Sequence, residues 1–200
     1  MRRIVLGGLA ASVVALTSQG ALAQTAGGTF GGAGQLAIQA DLELHFEGTT
    51  ASNNGGSSSD ILIQPAADYF VINNLSLGGA LTFDNHTDSP GGGGNSTTTT
   101  TFGVAPRIGY NIPIVDKLSF WPDLFLFFDT SSRSNNGGSD SAFGIGLYGP
   151  VLFHPVEHFF IGLGPNVSTE FSHTFSNNGR SGDAPKITEF GVMLTLGGWI

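Results

Sequence analysis

Apolar and polar residues alternate with a period of two along most of this chain, a pattern that dictates β-strands and leaves little room for helices. Residues 35–47 place Leu36, Ile38, Ala40, Leu42, Leu44 and Phe46 on one face and Gln35, Ala37, Gln39, Asp41, Glu43, His45 and Glu47 on the other. Seven further segments follow, near 61–72, 75–86, 99–110, 118–130, 141–153, 159–172 and 187–199, which makes eight. Short links (Asn73-Asn74, 111–117, 154–158) alternate with long ones rich in Gly, Ser, Asn and Thr (48–60, 87–98, 131–140, 173–186). That alternation predicts an all-β, eight-stranded, antiparallel up-and-down sheet, with tight turns at one end and mobile loops at the other.

Composition narrows the function classes. The 200 residues contain no cysteine, which excludes a disulfide scaffold, a cysteine zinc site, an Fe–S cluster and a thiol nucleophile. Arg2 and Arg3, the apolar run Ile4 to Leu16 and the small-residue site Ala21-Leu22-Ala23 read as an export signal over 1–23, leaving a mature domain over 24–200. That domain has five basic residues against fifteen acids, a formal charge of −10, so phosphate recognition by clustered Lys and Arg is excluded and no nucleic-acid partner is expected.

The aromatic residues decide which way the apolar faces look. On the apolar phase, Tyr69, Tyr110, Phe120, Phe153 and Phe159 stand beside the short turns, whereas Phe46, Phe83, Phe102, Phe128, Phe143, Phe171 and Phe190 stand toward the long loops. The eight-residue steps from Phe102 to Tyr110 and from Phe120 to Phe128 correspond to roughly 20 Å of membrane depth at ~3.3 Å per residue and ~40° tilt. The twelve-residue step from Phe159 to Phe171 gives roughly 30 Å, so the two spacings bracket the ~25 Å apolar band of an outer-membrane barrel. The opposite phase carries Glu43, Asp68, Asp84, Arg107, Asp123, Asn166, Glu170 and Glu189, too polar for a soluble core but suited to a lumen. Glu43, Asp68, Arg107, Asp123, Glu170 and Glu189 are therefore expected to form an interior polar network. Inward glycines at 78, 103, 109, 144, 146, 162, 164, 191 and 197 leave room for inward Trp121, Phe125, Phe127, Tyr148 and Phe160. An eight-stranded barrel is only just wide enough for side chains, so a plugged interior is expected.

The stretch Pro65-Ala66-Ala67-Asp68-Tyr69-Phe70-Val71-Ile72-Asn73-Asn74-Leu75-Ser76-Leu77-Gly78-Gly79 resembles the periplasmic-end hairpin of the small outer-membrane β-barrel domain family, the OmpA/OmpX-type eight-stranded barrels. The final strand, Phe190 to Ile200, is similar to that family's C-terminal assembly signal, with Trp199-Ile200 where a terminal Phe is usual. The resemblance implies a transmembrane β-barrel in the outer membrane of a Gram-negative bacterium. It also implies contact with outer-membrane lipid and lipopolysaccharide, recognition by the assembly machinery through the last strand, and a monomer. Such barrels serve as anchors, adhesins, small channels and enzymes, so fold alone does not select among roles.

Local motifs point to no catalytic centre, metal or cofactor. His154-Pro155-Val156-Glu157-His158 has the spacing of an inverted zinc-protease motif, but Pro155 sits in a turn where the motif requires a helix. Asp84, His86 and Asp88 alternate along a strand end as a three-ligand set without a fourth. His173 and Ser176, with Glu189 downstream, faintly resemble the His/Ser centre of outer-membrane lipid A deacylases; three residues apart, they are expected to point to opposite faces unless a bulge intervenes. Gly91 to Gly94 lacks the Lys-Ser/Thr of a phosphate loop. The expected role is a non-enzymatic one in membrane integrity or surface interaction through the loops. A narrow cation-permissive channel and a lipid-modifying enzyme are the alternatives.

Overall fold

A computed structural model describes residues 29–43, 57–89, 95–134, 138–177 and 180–200. The expected export signal, Phe46 and most of the 48–60 link lie outside these residues. The described residues form twelve strands and no helix: β1 (Leu36–Glu43), β2 (Ser57–Ile72), β3 (Leu75–Ser89), β4 (Thr97–Tyr110), β5 (Ile112–Val115), β6 (Leu118–Phe120), β7 (Asp123–Arg133), β8 (Ser139–Tyr148), β9 (Val151–Phe153), β10 (Phe159–Asn177), β11 (Arg180–Asp183) and β12 (Thr188–Trp199).

Eight of them, in the order β1, β2, β3, β4, β7, β8, β10 and β12, pair antiparallel into a closed ring. Closure is made where the first and last strands meet. Leu36 and Ile200 exchange backbone hydrogen bonds of 2.9 and 3.0 Å, and the ladder runs from Ala37 opposite Trp199 to Glu43 opposite Met193. Closure leaves neither strand with an unpaired edge along this ladder.

The strand pattern departs from the sequence expectation at both ends of the ring, and the expected short link 111–117 itself contains β5. The segments expected as single strands over 118–130 and 141–153 are each broken, at Trp121-Pro122 and at Gly149-Pro150. Proline has no N–H to donate, so the ladder stops there. Other donors stitch the gaps: Tyr110 N–H donates to Pro122 O and Trp121 N–H to Pro150 O, both at 3.0 Å. The second departure is at the opposite end, where parts of the expected loops continue as strand. The β2–β3 ladder runs out to Ser57 opposite Ser89, β7 and β8 pair as far as Ser132 opposite Ser139, and β10 continues to Asn177 before β11 folds back on it. Runs of β-branched and hydroxyl residues such as Thr97 to Thr101 favour extended backbone and pair across strands: Thr101 and Ser131 hydroxyls lie 2.8 Å apart.

At the turn end, Asn73-Asn74 closes β2 onto β3 with Asn74 at φ 68°, a left-handed conformation that Asn tolerates. β5 and β6 form a small hairpin about Asp116-Lys117, and β6 pairs with β9.

Candidate functional site

Period-two alternation becomes an inside and an outside once the ring is closed. Side chains of one phase point inward and are stacked in layers; those of the other face away from the ring.

The central inner layer is ionic. Asp68 on β2, Gly78 on β3 and Arg107 on β4 stand opposite one another in consecutive ladders. Because Gly78 has no side chain, Arg107 reaches across it; a Cβ there would run into the Asp68 carboxylate. Arg107 Nε donates to Asp68 Oδ1 and Oδ2 at 2.9 and 3.0 Å, and Nη2 donates to Asp68 as well. Its Nη1 donates to Asp41 Oδ2 at 3.2 Å. Gln39 Nε2 in turn donates to both Asp41 oxygens at 3.1 and 3.2 Å. The guanidinium also lies 6.0 Å from the centre of the Trp121 ring, within cation–π range. Every member is buried, and Arg107 is the only Lys or Arg with a buried side chain among the described residues. Charge-assisted, bidentate geometry of this kind offsets the desolvation that burial imposes on both partners.

Asp123 on β7 completes this layer differently. It stands opposite Gly109 and Tyr148, is 1% exposed, and neither of its oxygens has a hydrogen-bond partner. Tyr148, beside it, donates to Met193 O at 3.2 Å. The layer thus holds three carboxylates and one guanidinium.

Toward the long-loop end the interior is filled by rings. Phe125 and Phe127 stand opposite Gly146 and Gly144, and a Cβ on either glycine would enter the facing ring. Farther along, Glu170 Oε2 lies 3.0 Å from His173 Nδ1 and accepts from Ile187 N–H at 2.9 Å. A bulge between Glu170 and Ser172 brings these two residues to the same side.

Toward the turn end the interior is closed by aromatic rings. Phe70, Trp121 and Phe160 are fully buried, with Trp199 and Phe30 nearly so. His154 joins them, its Nε2 3.0 Å from Ser119 Oγ and its Nδ1 without a partner. Burial lowers its affinity for a proton below that of an ordinary imidazole, so the neutral ring is favoured.

Of the six polar residues expected in one interior network, the structure brings Asp68, Arg107 and Asp123 together. Glu170 pairs with His173 in a separate layer, Glu189 is exposed at the β12 end near Thr188, and Glu43 is placed in β1 opposite Met193. Asp41 and Gln39 are the members sequence reasoning left out, although both lie on the polar face of the first segment; period two marks their face but not that Asp41 reaches Arg107 and Gln39 reaches Asp41.

The outward face is apolar. Phe83, Phe102, Phe128, Phe171 and Phe190 are exposed toward the long-loop end and Tyr69, Tyr110, Phe153 and Phe159 toward the turns, with Ile63, Leu81, Val104, Leu126, Leu163 and Val192 exposed between them. Phe120 and Phe143 are half-buried, Phe143 stacking on Phe128 with ring centres 4.6 Å apart.

The remaining motifs resolve as local contacts. His154 and His158 lie in a turn, and His158 Nδ1 is 2.9 Å from Trp199 O. His86 Nε2 lies 3.1 Å from Asp88, and among the described residues no three His, Asp or Glu side chains converge as a metal site. The bulge in β10 precedes His173, so His173 and Ser176 remain in regular register opposite Ala142 and Ser139. No protein-family model matches the chain, and no curated protein sequence matches it.

Proposed function

We propose that this protein is a non-enzymatic outer-membrane β-barrel of the OmpA/OmpX type, sealed through its interior, that supports membrane integrity and presents its long-loop hairpins at the cell surface. The observation that carries this reading is the closed ring of eight strands with an apolar, aromatic-edged exterior around an ionic interior. In water such an exterior would be a liability, because contiguous exposed apolar surface drives association. In a bilayer it is the required surface, and closure leaves no open edge among the ring strands where no water is at hand.

Three interior layers support a sealed barrel. Arg107 with its aspartates, the Phe125 and Phe127 rings, and the aromatic cluster at the turn end each place bulky side chains in the interior. Lipid and lipopolysaccharide are the expected surroundings, the assembly machinery the partner of β12, and a monomer the working state. The mature chain, residues 24–200, refolded into vesicles, is expected to float with the lipid and to leave a planar bilayer silent. Recovery in the aqueous fraction would overturn the membrane reading. Discrete cation-selective steps would replace the sealed barrel by the narrow channel, a reading favoured by the surplus of interior carboxylates.

A further inference from the structure

The aromatic cluster at the turn end contains one ring that does not belong to the ring of strands. Phe30 precedes β1, yet its ring centre lies 5.1 to 5.2 Å from those of Phe70, Trp121, Phe160, Trp199 and His154. These five come from separate places around the circumference: β2, the β6–β7 break, β10, β12 and the residue after β9. Three of the contacts are edge-on, with interplanar angles of 62° to 84°, the arrangement aromatic quadrupoles favour.

Backbone geometry holds Phe30 there. Gly31 and Gly34 have φ of 99° and 88°, values open to glycine, so the chain turns inward and out again before β1. Asn111 Nδ2 donates to Phe30 O at 3.0 Å, Asn74 N–H donates to Gly31 O at 2.7 Å, and Ala33 N–H donates to Asn73 Oδ1 at 3.0 Å. Gln35 Oε1 accepts from Gly31 and Gly32 N–H at 2.8 and 3.0 Å. The side-chain and backbone groups that clasp the segment belong to turn residues (Asn73, Asn74, Asn111), to Gln35 within the segment itself and to the Phe70 backbone, whose O accepts from Gly34 N–H at 2.8 Å and whose N–H donates to Gln35 O at 2.9 Å. Behind Phe30 the path into the ring meets Trp121, whose Nε1 donates to buried Ser76 Oγ at 3.3 Å.

We infer that Phe70, Trp121, Phe160, Trp199 and His154 form a binding socket for an aromatic ring, that residues 29–35 are its tethered ligand, and that this ligand seals the turn end of the interior. The inference deepens the sealed-barrel reading and rests on it, but its test requires only a folded ring.

The chain has no cysteine, so Ser76→Cys supplies a unique thiol behind the socket. In detergent micelles, a water-soluble maleimide is expected to label Ser76→Cys slowly and the Phe30→Ala, Ser76→Cys double variant faster by on the order of a hundredfold, the factor that removal of a well-packed phenyl ring represents. Benzene added to the double variant is expected to restore slow labelling saturably, and more effectively than cyclohexane, because an apolar cavity of this size accepts a ring in place of the lost side chain. Equal labelling with and without Phe30 would overturn the plug; fast labelling that benzene does not slow would overturn the socket. Far-UV circular dichroism monitors the fold, and if Phe30→Ala does not fold, Phe30→Leu makes the same comparison with most of the apolar volume kept. Vesicle flotation is read separately, so failure of the plug and failure of the membrane reading give different results.

Discussion

Two residues set the chemistry of the interior. Arg107 neutralises part of a layer whose other charged groups are all carboxylates, and Asp68 and Asp41 are both buried against it. Replacing Arg107 by Met leaves those carboxylates without their cation, a loss of about 3–5 kcal/mol for a broken buried pair, and the urea midpoint of refolded protein is expected to fall accordingly. His154 behaves in the opposite sense to a paired histidine. Its folded-state affinity for protons is lowered from the ordinary value of 6.5 by burial, so the unfolded chain binds the extra proton first. Its contribution is therefore complete above that value and is lost progressively as pH falls below it. Both tryptophans of the chain, Trp121 and Trp199, sit in the same cluster, which makes their fluorescence a direct reporter. The unfolding midpoint read by that fluorescence is expected to decline on acidification in the parent protein, and the decline to be smaller in His154→Phe.

At the scale of elements, facing strands are matched in size. β7 contributes large inward rings where β8 contributes glycines, and the pairs Phe125 with Gly146 and Phe127 with Gly144 are opposite in register. Gly146→Ala forces a methyl into the Phe125 ring, an overpacking that costs about 1–3 kcal/mol. Shortening the partner should relieve it: the Gly146→Ala, Phe125→Leu double variant is expected to be less destabilised than the sum of its single changes, measured as non-additivity in a double-mutant cycle. An additive result would show that the glycine is required by the backbone and not by the ring opposite. The broken strands follow similar local logic, since Pro122 and Pro150 end pairing with the ring and β6 pairs with β9, which sets Ser119 against His154 of the aromatic socket.

For the molecule as a whole, the issue is what surrounds the apolar exterior. Leu163 on β10 is exposed and lies between Phe159 at the turn end and Phe171 toward the loops. On the proposed membrane reading, Leu163→Arg places a charge near mid-depth and costs about 2–4 kcal/mol of folding into lipid. The yield of vesicle-inserted protein is expected to drop, whereas Lys186→Glu, beyond the strands, should leave it unchanged. If Leu163→Arg inserts as well as the parent, the exterior is not facing lipid.

The all-β class, the antiparallel order and most strand positions were legible in the sequence, because side-chain direction in a strand repeats every two residues and alternation is therefore visible without knowing the fold. Arg107 stood out as the inward cation for the same reason. What period two cannot convey is height and reach. Asp41 and Gln39 join Arg107, and Glu170 turns to His173, because of ladder register and a bulge that are set only when strands pair. Extension of β10 into the expected loop is matched by β8 on one side and by β11, folding back, on the other. Phe30 shows the division most clearly. In the sequence it is one phenylalanine among glycines before the first strand, and its place at the centre of five rings exists only after eight strands have closed and brought residues from across the chain to one end.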